Sequence, residues 1–153
     1  QVAKAFELSK RIKKSRPDIP IVWGGFHPTI FPEMTAADPN IDIVVNGEAS
    51  SIVAPLADAL KNNTDLNDIP GILFKREGKV IKKEKPELVQ MEDLPGVDWD
   101  LIDKEVLENF IVRKNPIGQN VRALPILTGL GCQFLCTFCH EYIFCSFNYK
   151  NST

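Results

Sequence analysis

The first twenty residues, QVAKAFELSKRIKKSRPDIP, set Val2, Phe6, Leu8 and Ile12 at roughly helical intervals, with Lys4, Lys10, Lys13 and Lys14 between them. This spacing predicts an amphipathic helix that Pro17 and Pro20 bring to an end. Its lysines read as a solvated face rather than as a phosphate-binding patch. The run IPIVWGG then has the length and composition of a buried strand, and its two glycines mark a turn where the backbone can come close to another group. A second helix is expected from Pro28 in HPTIFPEMTAAD, because proline is tolerated in a first turn, and Pro39 closes it. IDIVVNGE repeats the strand-then-glycine pattern, and SSIVAPLADALKN places Ile52, Leu56 and Leu60 one turn apart.

Helices alternating with unbroken apolar strands predict an α/β fold with a parallel sheet covered by helices on both faces. Ligands of such sheets bind beyond the carboxyl ends of the strands. Those ends are Gly24-Gly25-Phe26-His27 and Gly47-Glu48, so the two loops should share one rim, although plain glycine turns account for the same residues. GILFKREGKVIKKE carries two short apolar runs around Glu77-Gly78, a hairpin signal. From Pro86 to about Asn120 the pattern weakens into an expected interdomain connector, with a short helical candidate near Leu101 to Phe110. VRALPILTGLGC supplies a new apolar strand, Ala123 to Leu127, which runs directly into a cluster of cysteines.

A length of 153 residues, 44% hydrophobic and 25% charged, fits one ordinary domain or parts of two. Eighteen Lys and Arg against 20 Asp and Glu give a net charge of -2, which provides no broad attraction to nucleic acid or an anionic membrane. No stretch approaches the roughly 18 to 20 consecutive apolar residues that span a bilayer. The expectation is a soluble cytoplasmic protein. Because the sequence starts at Gln1 within an apparent helix, it also reads as a fragment of a longer chain.

GLGCQFLCTFCH places Cys132, Cys136 and Cys139 inside eight residues. A disulfide framework lacks a secretory context. Zinc fits the Cys136-x-x-Cys139 spacing, with Cys132 and either His140 or Cys145 completing four ligands, but zinc ribbons usually add a second, separated pair. An iron-sulfur cube has four iron corners, and three thiolates from a tight loop hold three of them while the fourth stays open for chemistry. Gly131 would allow close approach, and Phe134 and Phe138 would form an apolar wall.

Cys132-x-x-x-Cys136-x-x-Cys139, with the aromatic Phe138 before the third cysteine, resembles the signature of the radical S-adenosylmethionine superfamily. Upstream, GGFHPT, VVNGEAS, the hairpin GILFKREGKV and the connector DLPGVDWDLID resemble, in that order, the later half of the cobalamin-binding domain that precedes the radical barrel in one branch of the superfamily. Where that branch commonly has a second glycine-acid pair after Gly47-Glu48, this chain has Ala49-Ser50.

The resemblance implies the later half of a flavodoxin-like, Rossmann-like cobalamin-binding domain over 1-84, a connector over 85-121, and over 122-153 the first strand and cluster loop of a radical S-adenosylmethionine partial βα barrel. It implies a 4Fe-4S cluster on Cys132, Cys136 and Cys139, with S-adenosylmethionine on the open iron, and cobalamin against Gly24, Gly25, His27, Gly47 and Glu48. His27 is expected to cap or line the rim rather than ligate cobalt, and Glu48 to accept backbone N–H bonds. Cys145 is expected to be a packed or spare thiol. The implied partners are a small-molecule substrate and an external electron donor such as flavodoxin or ferredoxin. The competing expectation is a non-catalytic binding module with a structural zinc or a closed iron-sulfur site.

Overall fold

The computed structural model describes residues 1–86, 96, 98–106, 112–114, 117–122 and 136–139. The chain divides into two compact units, Gln1–Met91 with Gly131–Thr153, and Glu92–Leu130.

In the first unit the order is α1 (Val2–Ser15), β1 (Val22–Trp23), α2 (Phe26–Ile30), α3 (Pro32–Ala37), β2 (Ile43–Val45), α4 (Val53–Asn62), β3 (Ile72–Arg76) and β4 (Lys79–Lys82). The four strands form one sheet in the order β1-β2-β3-β4. β1 and β2 are parallel, with Val22 opposite Ile43 and Trp23 opposite Val44. β2–β3 and β3–β4 are antiparallel. The sheet is therefore mixed, which corrects the expectation of a parallel one. The expected hairpin does form, and its first strand, β3, pairs with β2 in the same sheet.

Helices do cover both faces, and the two-residue period of the strands shows how. Ile43 and Val45 of β2 and Ile72 and Phe74 of β3 pack with Ile52, Leu56, Ala59 and Ile69, the α4 side. Val44 and Leu73 point the other way and pack with Ala36 and Ile41, flanked by Phe6 of α1 and Trp23. Val44, Ile52, Ile72 and Leu73 have no exposed surface at all.

The helices depart from the sequence reading at two places. The segment expected as one helix from Pro28 is two, because Pro32 disfavours helical backbone at Phe31, which sits at φ -125°, ψ 59°. Pro28 is accommodated in the first turn of α2, where an amide N–H has no intrahelical acceptor in any case. In α1, Phe6 and Ile12 are half-buried as expected, whereas Val2 and Leu8 are exposed. Lys13 is not part of a solvated face. Its ammonium lies 2.7 Å from the Asp42 carboxylate and donates to the Ile19 carbonyl at 2.8 Å. Asp42 in turn accepts the Ile21 N–H at 2.6 Å, so this pair anchors α1 to the start of β1.

Gly71, just before β3, makes the tightest backbone approach. Its φ is +69°, and a Cβ there would lie 2.7 Å from Ile52 Cδ1 and 2.8 Å from Pro86 Cδ.

The second unit contains a 3-10 turn (Trp99–Leu101), started by Asp98 accepting the Asp100 N–H, and helical residues 104–106. It also contains a hairpin, β5 (Val112–Lys114) with β6 (Asn120–Arg122), that the weak sequence pattern did not announce. The remainder of the Leu101–Phe110 candidate and the expected strand Ala123–Leu127 lie outside the described residues.

Gly71→Ala is expected to destabilise the protein by about 2 to 4 kcal/mol, from left-handed strain of about 1 to 2 kcal/mol together with overpacking against Ile52 and Pro86. The measurement is the urea unfolding midpoint. A midpoint equal to that of the wild type would show that the β3 entry tolerates a side chain.

Candidate functional site

Parallel pairing of β1 and β2 puts their carboxyl ends on one edge, and a single buried hydroxyl joins the loops that follow. Thr29 Oγ donates to the Gly25 carbonyl at 2.7 Å, and it accepts the Gly47 N–H at 3.1 Å. Thr29 is 2% exposed. Back-bonding to the residue four before it is common for threonine in helices. Here the same oxygen reaches across to the next strand, so the two glycine loops are held side by side as the sequence led one to expect.

Gly25 has φ +92°, and a Cβ added to it would meet nothing within 4 Å. Its backbone shape requires glycine while the space beside it is open. Gly24 is less demanding, since a Cβ there would make ordinary contact, 3.7 Å from Val45 Cβ. Glu48 folds its own loop: Oε1 accepts the Ser50 N–H at 2.9 Å and the Ser50 hydroxyl at 2.6 Å. The Ala49-Ser50 departure thus supplies the partner for Glu48, and Ala49 O accepts the Ile52 and Val53 N–H groups that lead into α4.

His27 is half-buried in an aromatic group, with ring centroids 5.5 Å from Phe31, 6.1 Å from Phe6 and 6.4 Å from Trp23. It lies within the first turn of α2, after the N-cap Gly25, and its backbone carbonyl accepts the Phe31 N–H at 2.9 Å at the end of that helix. Trp23 Nε1 donates to Ser9 Oγ at 3.0 Å, which fixes this group against α1. His27 Nε2 and Asn46 Oδ1 are buried side-chain atoms with no hydrogen-bond partner among the described residues. Thr29 and Asn46 were not singled out from sequence. The available signal was a polar residue closing GGFHPT and another directly before the glycine of VVNGEAS.

Cys136 and Cys139 belong to a turn closed by the Cys139 N–H donating to the Cys136 carbonyl at 3.0 Å. Both thiols are free, Cys136 exposed and Cys139 half-buried. Phe138, expected in an apolar wall, is 91% exposed. Cys132, Gly131, Phe134, His140 and Cys145 lie outside the described residues, and among the described residues no three His, Cys, Asp or Glu gather into a metal-holding group. Two free thiolate-forming side chains on one turn suit a thiophilic metal or cluster. An open glycine at the rim, with unpaired buried polar atoms beside it, suits a polar cofactor. The residues present therefore fit both implied groups. Among the described residues no helix is long and apolar enough to cross a membrane.

The features to compare with known proteins are a mixed α/β unit with two glycine loops clipped at one rim and a cysteine turn later in the sequence. No family model matches the chain. It is similar to the anaerobic magnesium-protoporphyrin IX monomethyl ester cyclase of Synechocystis, 33% identical over 135 residues, 88% of this chain and 26% of the cyclase. It is also similar to an uncharacterized methyltransferase of Pyrococcus horikoshii, 31% identical over 137 residues, 88% of this chain and 28% of that protein. Its fold matches the radical S-adenosylmethionine methyltransferase TsrM of Kitasatospora setae, solved with cobalamin and a [4Fe-4S] cluster bound, with a TM-score of 0.60 and 22% identity over 92% of this chain and 27% of that one. The chain spans about a quarter of the length of the curated relatives it matches. Its sequence is thus similar to those of a cyclase and a methyltransferase, and it shares the fold of TsrM.

Thr29→Val keeps the shape but leaves the Gly47 N–H buried without an acceptor, an expected loss of about 1 to 3 kcal/mol. Thr29→Ser, which retains the oxygen, should lose less. Chemical denaturation of the two variants separates the cases, and equal stability of Thr29→Val and wild type would remove the clip from the account.

Proposed function

We propose that this chain is part of a radical S-adenosylmethionine enzyme, in which residues 1-84 are the later part of a cobalamin-binding domain, 85-121 a connector and 122-153 the start of the barrel. The observation that carries the reading is the pair of strand-end loops clipped by Thr29 at one rim, upstream of Cys132-x-x-x-Cys136-x-x-Cys139. Relatives and a solved fold of the same lineage support it.

Cys132, Cys136 and Cys139 hold three irons of a 4Fe-4S cluster and leave the fourth to S-adenosylmethionine. The cluster, when bound and reduced, supplies the electron that cleaves the sulfonium into methionine and a 5′-deoxyadenosyl radical. At the rim, Gly25 leaves room for cobalamin, Thr29 and Gly47 hold the two loops at a fixed spacing, Glu48 shapes the second loop, and Gly24 and His27 line the first. The protein's part is to position these groups and exclude competing reactions. The reaction is methyl transfer or another radical reaction at an unreactive carbon of a small molecule, with a flavodoxin or ferredoxin as electron donor, in the cytoplasm.

In the intact protein, reconstituted anaerobically with iron and sulfide, Cys132→Ala, Cys136→Ala and Cys139→Ala should each lose most of the 4Fe-4S absorption and of S-adenosylmethionine cleavage. Cys145→Ala should retain both. If Cys145→Ala empties the site as fully as Cys136→Ala, or if the metal is a single zinc without visible absorption, the site is a closed one and the radical reading fails.

Gly25→Val should weaken cobalamin binding at least tenfold while the cluster spectrum is unchanged, because a branched side chain at φ +92° strains the loop and fills the open space. Equilibrium dialysis measures this. Undisturbed affinity in a folded variant would take the first glycine loop out of the cofactor site.

A further inference from the structure

We propose that Asn46 is a cofactor-binding residue whose side-chain carbonyl accepts a hydrogen bond from a carboxamide N–H on the ring periphery of cobalamin; this rests on the reading of the rim given above. Asn46 directly follows the apolar run Ile43-Val44-Val45 and is 4% exposed. Its Oδ1 is buried and unpaired, a cost comparable to a lost hydrogen bond that a valine or leucine would avoid. A polar residue kept there at a cost needs a partner from somewhere.

The neighbouring backbone supplies none. The Asn46 N–H is given to the Gly71 carbonyl at 2.8 Å, the Gly47 N–H to Thr29 Oγ, and the Ser50 N–H to Glu48. These three donors are committed elsewhere, and Oδ1 is left open to a donor brought by a ligand. Turning the side-chain carbonyl toward the rim forfeits no hydrogen bond of its own, because Oδ1 has no partner among the described residues. The register also places it well: Asn46 stands at the carboxyl end of β2, beside the open Gly25 loop, where ligands of parallel strands bind. Cobalamin carries primary carboxamides around its ring, and these are donors of the kind the oxygen lacks.

The test uses the intact apoprotein titrated with hydroxocobalamin and, separately, with cobinamide, which keeps the ring carboxamides and lacks the nucleotide tail. Asn46→Leu should raise the hydroxocobalamin Kd about tenfold or more, raise the cobinamide Kd by a similar factor, and leave the melting midpoint of the apoprotein no lower than that of the wild type. If Asn46→Leu does not fold, Asn46→Ala carries the same Kd comparison. An unchanged Kd in whichever variant folds overturns the assignment, and so does a penalty that disappears with cobinamide, which would give the contact to the tail. A wild-type protein that takes up neither corrin overturns the proposed cobalamin rim itself, an outcome distinct from the other two.

Discussion

The first unit depends on β2 being buried from both sides. Only three residues long, it pairs with β1 in parallel and with β3 in antiparallel fashion, and its side chains alternate between two separate packed layers. A strand in that position has no face for water, so its sequence must be apolar throughout, as Ile43-Val44-Val45 is. Its carboxyl end is then the one place where it can meet solvent or a ligand. The location of the rim follows from the burial of the strand behind it.

The same constraint explains why so small a feature as the Thr29 hydroxyl matters. Two chain reversals leave the sheet at adjacent points, and each has backbone groups that the ladder no longer satisfies. One oxygen serves both, and it is inside the protein, where exchanging it for water is not available. Glu48 settles the remainder of the second loop by bonding within it. The rim is thus held by hydrogen bonds of neutral groups and one carboxylate, local within each loop and joined across the loops by Thr29.

Much of this was legible in the residues. Periodicity located α1, α4, both rim loops and the hairpin turn, because each is encoded by spacing or by glycine. The mixed character of the sheet was not legible: an apolar run such as Gly-Ile-Leu-Phe has the same composition whether its partner strand runs with it or against it, and the helical connection through α4 is of the kind that usually joins parallel strands. The break between α2 and α3 was present in the sequence as Pro32, but the proline four residues earlier looked equally disruptive and was absorbed into a first turn. The roles of Thr29, Asn46 and Lys13 were not legible because they arise from neighbours 18 to 29 positions away or from the lack of a hydrogen-bond partner. The cysteine spacing needed no fold to be read, since ligand geometry is written into the interval between the residues themselves.

Lys75 shows how the hairpin is coupled to the opposite end of β2. Its stem lies on the α3 side of the sheet, and its ammonium donates to the carbonyls of Asp38 and, at 2.8 Å, Ile41, in the segment that leads into β2. Lys82 of β4 reaches Glu33 of α3 at 2.5 Å, a contact that holds the Glu33 carboxyl below its ordinary range. The loop before β2 therefore cannot swing out while β3 stays in place, and β3 cannot detach without stripping that loop of its donor. In amide exchange, the α3–β2 loop and the hairpin should open as a single cooperative unit. α1, tied mainly by Lys13 and the Ser9–Trp23 bond, should exchange as a separate and less protected one.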